Sequence, residues 1–376
     1  MSEDAREREK FVILADESAH WKIAGLTQLR RLELALGEFA ETTGTPIETS
    51  VWWKSGSRSG GVASDFTSAR VVTTRMFVCR NGVAEFVAAA QPLRVMDSAV
   101  TWDALQSAFE IAYAASKPRL WRLLRDSTEI AAAEREFLRQ ISKPQDGFVS
   151  RWINRPLTRP LTRVLLKLPI TPTAWTLSIF ALPIVCAFFL AQGDYVSVLI
   201  GTGIYQLYSM LDGCDGEIAR SKFLESKRGG SIDDVCDIAG ALLFVVSLGF
   251  GLSRTQSSGS NAWIYAAEGL LLALLIAGNE WALHRSQLEL EPEVDARSFV
   301  QAAYPRHRSL IQRAGVTQLS ERVVWFALQL TKRDVGILFF VLLAFAGWPE
   351  WILHPWLLVA VATFALNVIS QRRTRT

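Results

Sequence analysis

Lysine and arginine vanish from four long stretches of this chain, 168–219, 229–253, 255–284 and 334–371. Each holds apolar runs close to the ~20 residues that a helix needs to cross a bilayer. The runs predict six helices, at about 173–192, 196–217, 232–253, 262–283, 334–348 and 351–370. One such run could be a buried helix of a soluble protein. Six in succession, with basic residues confined to the connections, point to a polytopic α-helical membrane protein. Residues 1–140 follow a different pattern. FVILA (11–15), PIETSVWW (46–53) and VVTTRMFVC (71–79) read as strands, and 24–40 has apolar residues at helical spacing. Strand, helix, strand is the order of a soluble α/β layer. WDALQSAFEIAYAA (102–115) and the stretch 118–141 read as helices leading towards the membrane.

Composition agrees with that division. Half of the 376 residues are hydrophobic and 20% are charged, below the ~25% of a typical soluble domain. A net charge of +3 is too small for a nucleic-acid binder. The four cysteines form no CxxC pair, which excludes a zinc ribbon and a disulfide scaffold. The charged start, MSEDAREREK, is not followed by an apolar run, so no secretory signal peptide is expected. Cations collect before the first helix (Arg151, Arg155, Arg159, Arg163, Lys167), between the second and third (Arg220, Lys222, Lys227, Arg228), within 284–333 and in the tail. The opposite connections are nearly free of them. The positive-inside rule then puts both termini in the cytoplasm, with the plasma (inner) membrane as the expected location. Between the domains, 141–171 interleaves Phe148, Trp152, Leu157, Leu161 and Leu165 with cations. That pattern suits either an amphipathic helix in the headgroup region or a linker with a positive-inside signal.

Carboxylates cluster within the apolar pattern at MLDGCDGEIARSKFLESKRGGSIDDVCDIAG (210–240). Asp212 and Asp215 are three apart on one predicted helix, and Asp233 and Asp237 four apart on the next, so each pair shares a helix face. A tight antiparallel connection brings the four together at the cytoplasmic edge. An ionised group near the bilayer interior costs at least about 2.5–3.5 kcal/mol, and four neighbours repel one another besides. A hard divalent cation relieves both penalties, and oxygen-only ligands suit Mg²⁺, Mn²⁺ or Ca²⁺. Small Gly216 and Ala219 let a ligand approach the helix, Gly229 lets the backbone pass close by, and Arg220 offers a planar fork for a phosphate. Together they describe a diphosphate whose leaving group must be neutralised.

This stretch resembles the signature of the CDP-alcohol phosphotransferases, D-x2-D-G-x2-A-R-x8-G-x3-D-x3-D. Asp212, Asp215, Gly216, Ala219, Arg220, Gly229, Asp233 and Asp237 supply every position at the family spacing. The resemblance covers about 143–376 and implies a six-helix domain over 172–376 that forms a homodimer in the membrane lipid. It implies that Asp212, Asp215 and Asp233 hold a pair of Mg²⁺ (or Mn²⁺) ions with the CDP diphosphate. Asp237 would share a metal and act as general base on an acceptor hydroxyl, whose oxygen attacks the β-phosphorus and releases CMP. Gly216, Ala219 and Gly229 would shape the cytidine pocket, and Arg220 would contact the diphosphate. Family members often carry Pro-Asn-x-x-Thr at the start of helix 1. Here Pro172 and Thr176 fit, and Thr173 stands in place of the Asn. The lead-in KPQDGFVSRWINRPLTR is similar to that of members fused to a nucleotidyltransferase-like domain, including inositol-phosphate cytidylyltransferase/synthase fusions. Residues 1–140 faintly resemble a sugar-type nucleotidyltransferase. The first strand, however, leads into DESAHWKIAG, with no Gly before Gly25, rather than a glycine-rich phosphate loop. A degenerate or regulatory domain is therefore expected, with SGSRSGG (55–61) as a loop.

The remaining polar residues each have two readings. Arg151, Arg155, Lys332 and Arg333 are either positive-inside anchors or contacts for an anionic acceptor. Glu268 and Glu280 are either structural partners or acceptor contacts, Asp234 is expected to be solvated or to stand behind the ligand carboxylates, and Cys214 and Cys236 are expected to be packing thiols. The donor is expected to be a CDP-activated lipid such as CDP-diacylglycerol, a soluble CDP-alcohol being the alternative. Phospholipid biosynthesis is the implied setting. Two other classes compete. An intramembrane prenyltransferase needs a second Asp-rich motif, and the later helices offer none. A silent scaffold anchoring the N-terminal domain would tolerate a broken motif, and this one is whole.

Overall fold

A computed structural model describes residues 9–54, 58–59, 69–78, 85, 87, 92–93, 101–116, 121–141, 147–255, 263–288 and 332–373. The expectations for Cys79, most of SGSRSGG and most of the 284–333 connection lie outside these residues. The chain divides into two compact units. The first comprises 1–144, 159–172 and 216–225, the second 145–158, 173–215 and 226–376.

The first unit is an α/β layer built on β1 (Glu9–Ala15). This strand pairs in parallel with β4 (Ile47–Trp53) on one side and β6 (Ala69–Thr73) on the other, which sets Ile13 opposite both Val51 and Val72. β5 (Arg58–Ser59) and β8 (Pro92–Leu93) close the two edges in antiparallel fashion. A strand covered on both faces must be apolar throughout, and FVILA is. Phe11 and Ile13 pack with Leu32 and Leu36 of α1 (Gln28–Thr43). Val12 and Leu14 pack with Trp102 and Leu105 of α2 (Trp102–Ser116).

Three sequence expectations need correction here. The predicted 24–40 helix begins only at Gln28, because Lys22–Ile23 (β2) and Leu26–Thr27 (β3) form a small hairpin around Ala24 and Gly25, both at positive φ. The predicted strand 71–79 is two strands. It turns after Thr73, and β7 (Met76–Val78) leaves the main sheet to pair with β9 (Trp121–Leu123). The predicted 118–141 helix is β9, a short turn at Ser127–Glu129 and α3 (Ile130–Gln140). Trp121 and Leu123 are buried in the pairing with β7, and Asp126 starts the turn by accepting the Thr128 N–H at 2.8 Å.

The second unit is helical. The chain enters through a wide turn, Ser150–Asn154, and α4 (Arg155–Lys167), whose later residues belong to the first unit. There follow α5 (Pro172–Ile179), α6 (Ala181–Leu190), α7 (Tyr195–Lys222), α8 (Lys227–Thr255), α9 (Trp263–Leu288), α10 (Arg333–Phe345) and α11 (Leu353–Arg373). Among the described residues, three helical lengths are long and apolar enough to cross a membrane: Pro172–Leu190, Lys227–Thr255 and Trp263–Trp281. Only 28%, 44% and 22% of their apolar windows are buried. Phe188, Phe250 and Leu274 face outward, as side chains solvated by lipid do. Inside, Tyr205 and Phe244 rings lie 4.6 Å apart and Phe340 and Trp356 rings 4.9 Å apart. α8 and α9 touch through glycines. A Cβ on Gly249 would sit 2.5 Å from the Tyr265 carbonyl and 3.1 Å from Gly269 Cα, so only glycine permits this approach.

At the end of β1 the Asp16 carboxylate accepts the Ser18 N–H at 2.9 Å and the Arg75 Nε–H at 2.8 Å. Burial opposes ionisation, yet the Ser18 hydrogen bonds and the Arg75 charge together hold Asp16 below the usual carboxylate range. A depressed folded-state pKa contributes stability above the unfolded value of about 3.9 and loses it as pH falls through the folded one. Asp16→Asn should therefore destabilise the α/β unit by about 1–3 kcal/mol at neutral pH. Its acid denaturation below about pH 4 should be shallower than that of the natural protein. Circular dichroism melts across pH check this.

Candidate active site

α7 presents Asp212 and Asp215 about one turn apart, and α8 presents Asp233 and Asp237 in the same manner. One oxygen from each of Asp212, Asp215 and Asp233 lies within 4.8 Å of the other two. The start of α5 braces this group. Pro172 occupies the first helical position, where the missing N–H costs nothing. One turn on, Thr176 Oγ1 donates to Asp215 Oδ2 at 2.6 Å, while the Trp175 indole N–H bonds the Leu211 carbonyl at 3.0 Å. Asp215 and Thr176 are both buried. Asp212 Oδ1 is also shielded from solvent and finds no hydrogen-bond partner among the described residues. A shielded carboxylate oxygen lacking a donor, beside two further carboxylates, fits a hard divalent cation better than a purely structural role. Among the described residues, Asp212, Asp215 and Asp233 are the ligands that would hold one.

Asp237 stands in a different setting. Its Oδ1 accepts the Tyr208 hydroxyl at 3.1 Å, and its Oδ2 meets the Arg333 guanidinium. Arg333 also lies 4.0 Å from Asp212 Oδ2, and its guanidinium carbon is 5.8 Å from the centre of the Tyr208 ring. Arg333, weighed from sequence as an anchor or an acceptor contact, is thus the counter-ion of the carboxylates. Tyr208 escaped the sequence reading, although a legible signal existed. It precedes Asp212 by four residues, which places the two on one helix face. Arg155 donates from Nη1 to the Gly213 carbonyl at 2.5 Å, and a Cβ on Gly213 would collide with that guanidinium. Its visible bond is thus to the backbone between the first two aspartates.

The other signature residues lie along the same two helices. Gly216, Ala219 and Arg220 continue α7 within the first unit. There a Cβ on Gly216 would be 2.9 Å from Arg220 Nη1, so the glycine makes room for the arginine one turn later. Gly229 opens α8, its N–H bonded to Ser226 Oγ at 3.0 Å. Lys332 is half-buried at the start of α10, and Arg151 is exposed. Asp234 is exposed, while Cys214 and Cys236 are buried free thiols. Glu268 pairs with His354 Nδ1 at 2.6 Å.

The CDP-alcohol phosphatidyltransferase family model matches residues 170–304, a span containing all four aspartates. Over that span the chain is similar to a CDP-alcohol phosphatidyltransferase domain. Curated relatives agree with the assignment. A bifunctional IPC transferase and DIPP synthase of Archaeoglobus fulgidus is 30% identical over 139 residues, 37% of this chain and 27% of that protein. The protein of the same name from Rubrobacter xylanophilus is 35% identical over 165 residues, 44% of this chain and 37% of that one. The inner membrane protein YnjF of Escherichia coli is 29% identical over 177 residues, 46% of this chain and 76% of its own length. The chain thus spans about a third of the length of the bifunctional relatives it matches.

Arg333, which lies beyond the matched span, offsets the repulsion among the acidic groups. Arg333→Ala should lower the thermal midpoint of protein stripped with chelator. Excess Mg²⁺ should then raise the midpoint more in the variant than in the natural protein, since a divalent cation takes over the lost charge. Melting curves with EDTA and with Mg²⁺ check both.

Proposed function

We propose that the chain is an integral membrane transferase that moves a phospho-alcohol group from a CDP-alcohol to an acceptor hydroxyl and releases CMP. The observation that carries this reading is the convergence of Asp212, Asp215 and Asp233 within 4.8 Å on the matched domain. Bound divalent metal, Mg²⁺ or Mn²⁺ as a pair in the family pattern, would supply charge neutralisation for the diphosphate. Asp212, Asp215 and Asp233 would hold it, and Thr176 fixes the orientation of Asp215 by its hydrogen bond.

The reaction forms a bond from the acceptor oxygen to the β-phosphorus and breaks the bond from that phosphorus to the bridging oxygen of CMP. Asp237 takes the acceptor proton. Tyr208 orients its carboxylate, and Arg333 pairs with it while offering positive charge to an anionic acceptor. Gly216, Ala219 and Gly229 admit the nucleotide, and Arg220 contacts its diphosphate. CDP-diacylglycerol is the favoured donor, because apolar surface exposed on the helices gives a lipid lateral access. Arg333 beside Asp237 favours a phosphorylated acceptor, and phospholipid biosynthesis is the setting. All six apolar helices span the bilayer in this reading, with both termini on the cytoplasmic side, following the charge asymmetry of the connections. Residues 1–140 form a degenerate nucleotidyltransferase-like domain and 141–171 a juxtamembrane segment.

The test is CMP release by purified protein with Mg²⁺ and CDP-diacylglycerol, acceptors being added singly. Release should depend on one acceptor, and Asp237→Asn should reduce it by roughly 10²–10⁴-fold. Release from soluble CDP-alcohols alone would reassign the donor, and none from either class would overturn the reading.

A further inference from the structure

α7 does not end as most helices do. Its last residue is Lys222, and the Leu224 N–H returns to the Ala219 carbonyl at 2.9 Å. That closure needs a left-handed residue at 223, where glycine is the usual choice. The residue here is Phe223, at φ 56. An aromatic side chain in this conformation is disfavoured unless its surroundings hold it there. The surroundings are the core of the α/β layer, against which the Phe223 ring packs along with Leu29 and Phe39.

Beside that ring sits Arg31 of α1, fully buried. Its Nη1 donates to the Ser221 carbonyl at 3.1 Å and its Nη2 to the Ile23 carbonyl at 2.8 Å. The guanidinium carbon is 5.1 Å from the Phe77 ring centre, 5.4 Å from Phe137 and 6.0 Å from Phe223. A buried arginine is a poor choice for filling a core. At a helix C-terminus, though, a cation meets the negative end of the dipole and a carbonyl that lacks an intrahelical donor. Further bonds secure the same turns. Arg220 Nε donates to the Ile141 carbonyl at 2.9 Å, Lys222 Nζ to the Leu168 carbonyl at 2.7 Å, and Thr162 Oγ1 to Glu217 Oε2 at 2.5 Å. Gly25 allows the closeness, since a Cβ there would strike the Leu166 carbonyl and lie 2.7 Å from Lys222 Cε.

We infer that the N-terminal α/β domain is a clamp on the last turns of the motif helix, with Arg31 and Phe223 as positioning residues that fix Arg220 for the CDP diphosphate. The positioning role rests on the function proposed above; the clamp itself does not. The rest of the domain is compatible with such a task. The C-terminal edge of its parallel strands, where open α/β sheets receive ligands, carries the Asp16–Arg75 pair and a Ser18–Thr74 hydroxyl bond of 2.6 Å.

The test compares full-length Arg31→Met, Arg31→Lys and Phe223→Gly in detergent. Phe223→Gly relieves the backbone and removes only the ring, so it stays informative if Arg31→Met fails to fold. Hydrogen exchange over 216–225 should be about tenfold faster in Arg31→Met, the change expected for one lost charge-assisted hydrogen bond. Exchange over 227–255 should be unchanged. Phe223→Gly should loosen the same segment, and Arg31→Lys should partly restore its protection. The KM for CDP-diacylglycerol should rise several-fold in Arg31→Met and Phe223→Gly with kcat nearly constant, and fall back in Arg31→Lys. Unaltered exchange over 216–225 would overturn the clamp. Faster exchange with an unaltered KM would overturn the positioning role. If the natural protein releases no CMP, the proposed function fails, while the exchange experiment still decides the clamp.

Discussion

Like charges held together in an apolar setting are the constraint on which the helical unit turns. Asp212, Asp215 and Asp233 lie within 4.8 Å of one another, with Asp237 one helical turn beyond Asp233. Left alone, such carboxylates would drive α7 and α8 apart by mutual repulsion. The neighbouring side chains answer that pressure one at a time. Thr176 donates to Asp215, Tyr208 donates to Asp237, and Arg333 reaches both Asp237 and Asp212. Even the glycines follow from it, since Gly213 clears space for Arg155 and Gly216 for Arg220.

Packing elsewhere keeps this arrangement from relaxing. The α8–α9 contact is built on Gly249 and Gly269, so neither helix has side-chain slack at that level. The Tyr205, Phe244, Phe340 and Trp356 rings tie α7, α8, α10 and α11 into one aromatic cluster. Arg333 begins the same helix that carries Phe340, which anchors the counter-ion to the packed core. A site that must hold charges at fixed separations gains from elements that cannot drift.

Much of this was legible in the sequence, for identifiable reasons. Helices wrapped in lipid announce themselves by length and by the absence of lysine and arginine: 227–255 contains the predicted run 232–253, and 263–288 covers 262–283 from its second residue on. The carboxylates stood out because nowhere else in the predicted helices do four aspartates fall so close together. The α/β half was harder to read. β7 and β9 are three residues each, too short for a period to show. The 118–141 stretch is rich in helix-forming residues, and its strand exists only because Val78 and Trp121 pair across 43 positions of chain. Asp126-Ser-Thr-Glu129, a good helix-start signal, was the clue that went unread. Arg31 was invisible for another reason. On a helical wheel it is one more polar residue of α1, and only the fold reveals that it meets a carbonyl 190 positions away.

The length of α10 bears on the bilayer itself. Thirteen residues make a helix about 20 Å long, roughly 10 Å less than a typical hydrocarbon core. Arg333 and Lys332 stand at one end, and Trp348 and Trp351 follow the other. Arg, Lys and Trp are the residue types that anchor spanning helices at the level of lipid headgroups. In the proposed six-span arrangement, a membrane that satisfies both ends would become thinner beside this helix. Water and headgroup phosphates would then reach deeper at Arg333 than around the longer α8 and α9. The local thickness of the lipid, as much as any side chain, would set how polar a molecule can approach Asp237.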